Sequence, residues 1–232
     1  MRIGVLSDIH GNIDALQAVL RECNQYKIDH YFFLGDYVGY YYNPHKVWKL
    51  ILSLNGTLIK GNHENILFEI SNQSISKKEI KDKYGIAHEM ALGQFSKNEI
   101  KSIFDLPEKL TITYNNTSFQ LNHGSPWNQD TYLYHNTDAN ILDQADDPEI
   151  DYVLVGHSHY SFIKKLDNSI LINPGSVGQN REKGGIASWA FIDLEKNVHE
   201  IIQTPYSVEK LAKEVKINDP SIEYNHKILF RE

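Results

Sequence analysis

The segment Tyr31-Phe32-Phe33-Leu34-Gly35-Asp36 constrains this chain most. An apolar run closes in glycine and then a single carboxylate. That is the pattern of a buried strand delivering one acid into the loop at its C-terminal end. The same figure recurs at Gly4-Val5-Leu6-Ser7-Asp8-Ile9-His10, Leu58-Ile59-Lys60-Gly61-Asn62-His63, Phe119-Gln120-Leu121-Asn122-His123 and Tyr152-Val153-Leu154-Val155-Gly156-His157-Ser158-His159. Each of these apolar stretches ends in a metal-capable residue. In open α/β sheets that carboxyl edge is where ligand sites form. Asp36 is expected to sit between two metal ions, with the other strand ends converging on it.

The rest of the chain reads as the frame for those strand ends. Residues 2–8 form a buried strand, and Ile13, Leu16, Val19 and Leu20 recur at helical spacing through 12–26. The strand to Asp36 then completes a βαβ unit, which crosses over right-handed. An aromatic loop, 37–43, leads to Pro44, which opens a helix carrying Val47, Leu50, Ile51 and Leu54 on one face. Residues 57–61 are the third strand. From 64 to about 104 the reading is helical and more polar, an insertion with breaks near 71–76 and Gly93. Ser96-Lys97-Asn98-Glu99 is a capping box within it. The character then changes. Residues 110–114, Asn115-Asn116 and 117–122 read as a hairpin. Residues 125–147 form a long connection, which in a compact domain is more often functional than idle. Strands are expected at 151–156, 161–166, 170–172, 186–194 and 199–204, in an antiparallel or mixed arrangement. A short helix follows at 207–216, and a tail from 217 to 232 carries no clear pattern. With no repeat, low-complexity tract or linker, one α/β domain is expected over 1–232.

Composition narrows the function classes. A net charge of −7 argues against general affinity for nucleic-acid backbone or anionic membrane. It leaves a nucleotide substrate open, because bound metals would reverse the local sign. The one cysteine, Cys23, excludes a thiolate cluster and an internal disulfide, and fits a reducing compartment. No apolar run approaches the ~20 residues of a membrane span, and no leader pattern precedes the first strand. A soluble cytoplasmic protein is expected, with no stable nucleic-acid complex. Of eleven histidines, His10, His63, His123, His157 and His159 stand at strand ends. His30, His45, His88, His135, His199 and His226 do not, and are read as surface or structural residues. Carboxylate, imidazole and amide donors without sulfur suit Mn²⁺, Fe, Ni²⁺ or Zn²⁺ rather than Ca²⁺.

Asp8-Ile9-His10-Gly11-Asn12, Gly35-Asp36-Tyr37-Val38-Gly39, Gly61-Asn62-His63-Glu64, His123-Gly124 and Gly156-His157-Ser158-His159 resemble, in order and spacing, the blocks of the calcineurin-like metallophosphoesterase superfamily. Asn173-Pro174-Gly175-Ser176-Val177-Gly178 resembles a segment of its small single-domain bacterial and archaeal members. His10-Gly11-Asn12 with Ala15-Leu16 is similar to the branch holding diadenosine-tetraphosphatase-like and protein-phosphatase-like enzymes. The resemblance implies a four-layer α-β-β-α sandwich, two mixed sheets flanked by helices, with a dinuclear metal site at the strand C-terminal edge. It implies one ion on Asp8, His10, Asp36 and His159, and a second on Asp36, Asn62, His123 and His157. Of the possible ions, Mn²⁺ is the one expected. A hydroxide bridging the ions would attack phosphorus, and His63 would give a proton to the leaving oxygen or hold the phosphate. Many relatives carry Asp or Asn where this chain has Gly39, and that side chain helps orient the histidine. Here Glu64, a backbone carbonyl or a water is left for that task. Tyr40, with Tyr41 and Tyr42, is a candidate stacking surface for a base, Arg181 a phosphate ligand, Asn12 a phosphate contact or a helix cap, and Trp127 and Tyr132 a cap over the site. The substrate expected is a small phosphodiester or nucleotide-type phosphoanhydride. A phosphomonoesterase, a phosphoprotein phosphatase, or an inactive scaffold similar to the retromer subunit are the alternatives. An oligomer is left open.

Overall fold

The computed structural model describes residues 1–232. Its first strand, β1 (Arg2–Leu6), is buried almost throughout because both faces of its sheet are covered. Ile3 and Val5 point to a second sheet, while Leu6 points to helices. β1 pairs in parallel with β2 (His30–Phe33), and β2 with β3 (Gly56–Leu58), which is shorter than expected. The crossovers are α1 (Ile13–Tyr26) and α2 (Pro44–Leu52). Asn12 caps α1 by accepting from the Ala15 N–H, and Leu16, Val19 and Cys23 form its buried face. Pro44 begins α2, where the missing N–H costs nothing.

The chain then leaves the sheet for α3 (Asn62–Ser71), α4 (Lys77–Tyr84), α5 (Ala87–Gln94) and α6 (Lys97–Phe104). The polarity of this stretch has a direct outcome: α4 buries no residue. The break near 71–76 is present. Gly93, however, lies inside α5, and the second break falls at Gly85, whose φ of 82° stops α4. The Ser96–Glu99 capping box forms as expected.

β4 (Lys109–Tyr114) and β5 (Thr117–Asn122) make the expected hairpin, with Asn115 and Asn116 both left-handed as a two-residue turn requires. The next elements are α7 (Ala139–Leu142), β6 (Tyr152–Leu154), β7 (Ser161–Lys165) and β8 (Ile170–Pro174). They are followed by β9 (Ile186–Asp193) and β10 (Val198–Pro205). One sheet has the order β10-β9-β1-β2-β3 and the other β4-β5-β6-β8-β7. Both are mixed: strands β1, β2, β3 of one sheet and β5, β6, β8 of the other run parallel, and the antiparallel strands lie outside them.

The sheets face each other across a core in which Ile3, Val5, Phe32, Leu34 and Ile59 meet Phe119, Leu121, Leu154 and Ile172. The architecture is the four-layer sandwich, with unequal outer layers. Helices cover the first sheet. The second is covered by the connection 125–150, whose Leu133, Leu142 and Ala145 pack on Val153, Val155 and Leu171.

The C-terminal segment corrects two expectations. α8 (Glu209–Asn218) and α9 (Glu223–Lys227), with the turn after them, form a small core with the tyrosine loop. The tail therefore carries structure: Ile228 and Leu229 are buried, in a stretch too short to show a period. Tyr41 and Tyr42 are the other half of that core rather than a stacking surface, and Tyr42 Oη donates to Asp219 at 2.7 Å.

Candidate metal centre

Each parallel strand ends in a turn that hydrogen bonds to a neighbouring strand end. The Asp8 N–H donates to Gly35 O, the His10 N–H to Asp36 O, and the Gly178 N–H to Asp8 O. Asp8, His10, Asp36, Tyr40, His157 and His159 all have positive φ, between 51° and 63°. Such conformations cost roughly 1 kcal/mol or more each in non-glycine residues and persist only where surroundings over-determine them. Here the backbone bonds above do so, together with His63 N–H to Asp36 Oδ1 (2.9 Å) and His157 N–H to Asp8 Oδ2 (3.0 Å).

These turns bring together the whole expected ligand set. Asp8, His10 and His159 present donor atoms within 4.8 Å of one another, as do Asp36, His123 and His157. His159 Nε2 lies 3.2 Å from Asp8 Oδ1, His123 Nε2 lies 3.3 Å from Asp36 Oδ2, and Asn62 Oδ1 lies 3.1 Å from His123 Nε2. Asp36 Oδ2 is also 3.7 Å from His10 Nε2, so one carboxylate oxygen faces both groups.

Hydrogen-bond chemistry tests whether a cation fits. The Nδ1 atoms of His10, His123 and His159 lie 2.9, 2.7 and 2.7 Å from the carbonyls of Val38, Leu34 and Gln179. A carbonyl only accepts, so Nδ1 carries the proton and Nε2 presents a lone pair. His10 Nε2 and His159 Nε2 then face each other at 3.1 Å as two acceptors. Asp8 Oδ1 beside them is buried without a hydrogen-bond partner. Donors about 2.1 Å from a common ion lie about 3.0–3.4 Å apart at tetrahedral or octahedral angles, which is the spacing of His10 from His159, His159 from Asp8, and His123 from Asp36 and Asn62. The donor set fits divalent metal.

The electrostatics agree. Burial alone would raise the Asp8 and Asp36 carboxyls, but His159 and His10 beside the first, and His123 and His63 beside the second, hold both well below the carboxylate range. Burial would lower His123, yet the Asp36 carboxylate beside it pushes it up to about 10. Burial lowers His159 to about 4 and also lowers His157.

The other expected residues separate. His63 is buried against the rings of His10, Tyr40, Tyr84 and His88. Burial drives it well below an ordinary imidazole, against the pull of Asp36. Tyr40 faces the site, its ring 4.7 Å from that of His10. Arg181 is half-buried, with Nε unpartnered. Tyr132 stacks on His157 at 4.1 Å, whereas Trp127, equally exposed, stacks on no ring of the site. Asn12 has the capping role: Oδ1 accepts from Ala15, and Nδ2 donates to Gly178 O and Tyr206 Oη, which leaves its amide engaged in packing.

Two residues were not anticipated in the roles they take. Glu64 accepts the N–H groups of Asp36, Tyr37, Val38 and Gly61 and so joins two ligand loops. Its spacing three residues after Gly61, at a helix start, was the available signal. His88, read as surface or structural, is buried with Nε2 3.1 Å from His63 Nδ1. It stands on α5, away from any strand end, and nothing local marks it.

A two-sheet sandwich whose parallel strands end in this sulfur-free donor set is a metal-dependent phosphoesterase. The chain belongs to the calcineurin-like phosphoesterase superfamily, whose domain profile matches residues 1–197. It is therefore a hydrolase of phosphate esters. An uncharacterized protein of Methanocaldococcus jannaschii is 30% identical over 237 residues, covering 93% of this chain and 92% of that one. The fold is shared with a hypothetical protein from Pyrococcus horikoshii (TM-score 0.85, 21% identity, 99% of this chain and 98% of that one). It is shared also with a metallophosphoesterase from Sphaerobacter thermophilus (TM-score 0.79, 23% identity, 99% and 98%).

Proposed function

We propose that this phosphoesterase hydrolyses a phosphodiester or nucleotide-type phosphoanhydride in a small molecule, with two divalent ions, Mn²⁺ foremost, and His63 as proton donor. The observation that carries this reading is Asp36 Oδ2, which lies 3.7 Å from His10 Nε2 and 3.3 Å from His123 Nε2 and so serves both donor groups. Asp8, His10, Asp36 and His159 would hold one ion, and Asp36, Asn62, His123 and His157 the other. When bound, such a pair supplies Lewis acidity toward phosphoryl oxygens and a nucleophile from water near neutral pH.

The side chains around it do the rest. The carbonyl-bound imidazoles keep their Nε2 lone pairs inward. Arg181, with its unpartnered Nε, offers a guanidinium to a phosphoryl oxygen. Tyr40 bounds the space beside His10 and His63. A ring nitrogen of His63 lies within 4.8 Å of the donor atoms of His10 and Asp36, close enough to reach an ester oxygen held there. A phosphate anion beside His63 favours its protonated form, offsetting the effect of burial. A net charge of −7 supports a small substrate rather than a nucleic-acid complex. No helix is long and apolar enough to cross a membrane.

The test is hydrolysis by the Mn²⁺-loaded chain of bis-p-nitrophenyl phosphate against p-nitrophenyl phosphate, then of dinucleoside polyphosphates and phosphopeptides. Diesters and polyphosphates are the expected substrates, and hydrolysis of monoesters alone would remove this reading. His63→Ala should lower kcat on substrates with poor leaving groups by about 10²-fold with metal content unchanged.

A further inference from the structure

His63 differs from the neighbouring histidines in what holds it. His10, His123 and His159 each rest Nδ1 on a main-chain carbonyl, which permits one tautomer. His63 Nδ1 rests instead on another imidazole, His88 Nε2, at 3.1 Å. The two ring planes lie 17° from parallel with centroids 5.0 Å apart, as an in-plane hydrogen bond between imidazoles requires. His88 is 1% exposed. The side of His63 toward Gly39 offers no alternative partner. A Cβ placed on Gly39 would lie 2.2 Å from His63 Nδ1, and Gly39 has a φ of 87°. A side chain at 39 and His63 in its present place exclude each other.

We propose that His88 is a positioning residue for His63: its Nε2 lone pair accepts the Nδ1–H of His63, which leaves the other ring nitrogen of His63 to carry the proton that the departing oxygen takes. The inference rests on the reading of His63 as proton donor. As the phosphorus–oxygen bond breaks, the Nε2–H of His63 passes to that oxygen. His63 becomes neutral and keeps its Nδ1–H on His88, and His88 gains no proton. The arrangement requires the Nδ1–H tautomer of His88, with that proton on a buried nitrogen that has no protein partner, since an Nε2–H there would oppose the Nδ1–H of a protonated His63. Burial lowers His88 to about 4, so it is neutral and able to accept at ordinary pH. A neutral partner also spares the site another carboxylate beside Asp36 and Asp8.

Two variants separate the acceptor from the packing. His88→Phe keeps a ring in that space and removes the acceptor, and His88→Gln supplies a carbonyl oxygen at similar reach. Both are compared with the wild type, Mn²⁺-loaded, on diphenyl phosphate (a poor leaving group) and bis-p-nitrophenyl phosphate (a good one). His88→Phe should lower kcat on diphenyl phosphate about tenfold or more and on bis-p-nitrophenyl phosphate less than about threefold, with KM and metal content unchanged. His88→Gln should recover most of the loss. Equal losses on both substrates, or none, overturn the proposal. If His63→Ala shows the leaving-group dependence and His88→Phe does not, the role of His63 stands and that of His88 falls. If His63→Ala shows none, the reading of His63 falls and takes this one with it. A second readout needs no turnover: long-range ¹H–¹⁵N spectra of the metal-free protein should place the His88 proton on Nδ1. A proton on Nε2 overturns the proposal.

Discussion

Glu64 ties together the loops that carry Asp36 and Asn62. One carboxylate oxygen takes the N–H groups of Tyr37 and Val38 at 2.8 and 3.2 Å, and the other takes those of Asp36 and Gly61, both at 2.8 Å. Burial and the nearby Asp36 charge push this carboxyl up to about 7, against the pull of those same N–H groups. The four bonds leave the Asp36 and Gly61 backbones little freedom. Glu64→Ala would strand buried N–H groups, at about 1–3 kcal/mol for each that water cannot reach. A loss of about 3–5 kcal/mol in urea unfolding is expected. Metal affinity should fall tenfold or more in equilibrium dialysis, as it does when residues behind a metal ligand are removed. Unchanged metal affinity would show that the loops hold their shape without it. At this scale the candidate donors were legible, because an apolar run followed by Asp8, Asp36 or His157 is a local pattern. The left-handed backbone at those residues was not, since their types disfavour it.

Among the elements, the thin outer layer over the second sheet is clamped by one side chain. Asp146 accepts from the N–H and Nδ2 of Asn168 and from the N–H and Oγ of Ser169, at 2.7 to 3.2 Å. This pins the connection 125–150 to the turn between β7 and β8. Burial works to raise the Asp146 pKa, but Ser169 and Asn168 together hold it below the ordinary value. A depressed carboxyl adds stability above the unfolded pKa, near 3.9, and loses it as pH falls through the folded value. Asp146→Asn should therefore be less stable than wild type at pH 7, with the gap closing as the pH falls through the lowered folded value of the carboxyl. Urea midpoints across that range check it, and a gap independent of pH would exclude the carboxylate as its source. The strands on either side of this clamp were readable from alternation and turns. The covering layer was visible only as a long connection, because its few apolar residues, Leu133, Leu142 and Ala145, follow no period.

In the molecule as a whole, the C-terminal segment lies beyond the family match, which ends at residue 197, yet it closes the loop that carries Tyr40. Leu211, Val215, Ile228 and Leu229 pack against Tyr41 and Tyr42. Asp219 takes both the Tyr42 hydroxyl and the Ile86 N–H, so the segment also fastens the start of α5, where His88 stands. Each buried aliphatic side chain contributes about 1.5–3 kcal/mol. A chain ending at residue 206 should melt well below the full chain and lose turnover, because Tyr40 and His63 lose their backing. Calorimetry and the diester assay measure both, and an unchanged melting temperature would mean the segment is an appendage.

The sequence by itself determined the strands, the order in which they end, and which candidate donors, Asp8, His10, Asp36, Asn62, His123, His157 and His159, stand at those ends, because each is written within a window of a few residues. Tertiary structure alone decided that Tyr40 reaches the rings of His10 and His63 from the edge of the C-terminal core, while Tyr41 and Tyr42 lie within it. It alone decided that His88, 25 residues from His63, stands behind it. Which surface buries which, and which nitrogen meets which, depends on contacts between elements, and no local pattern of residue types contains them.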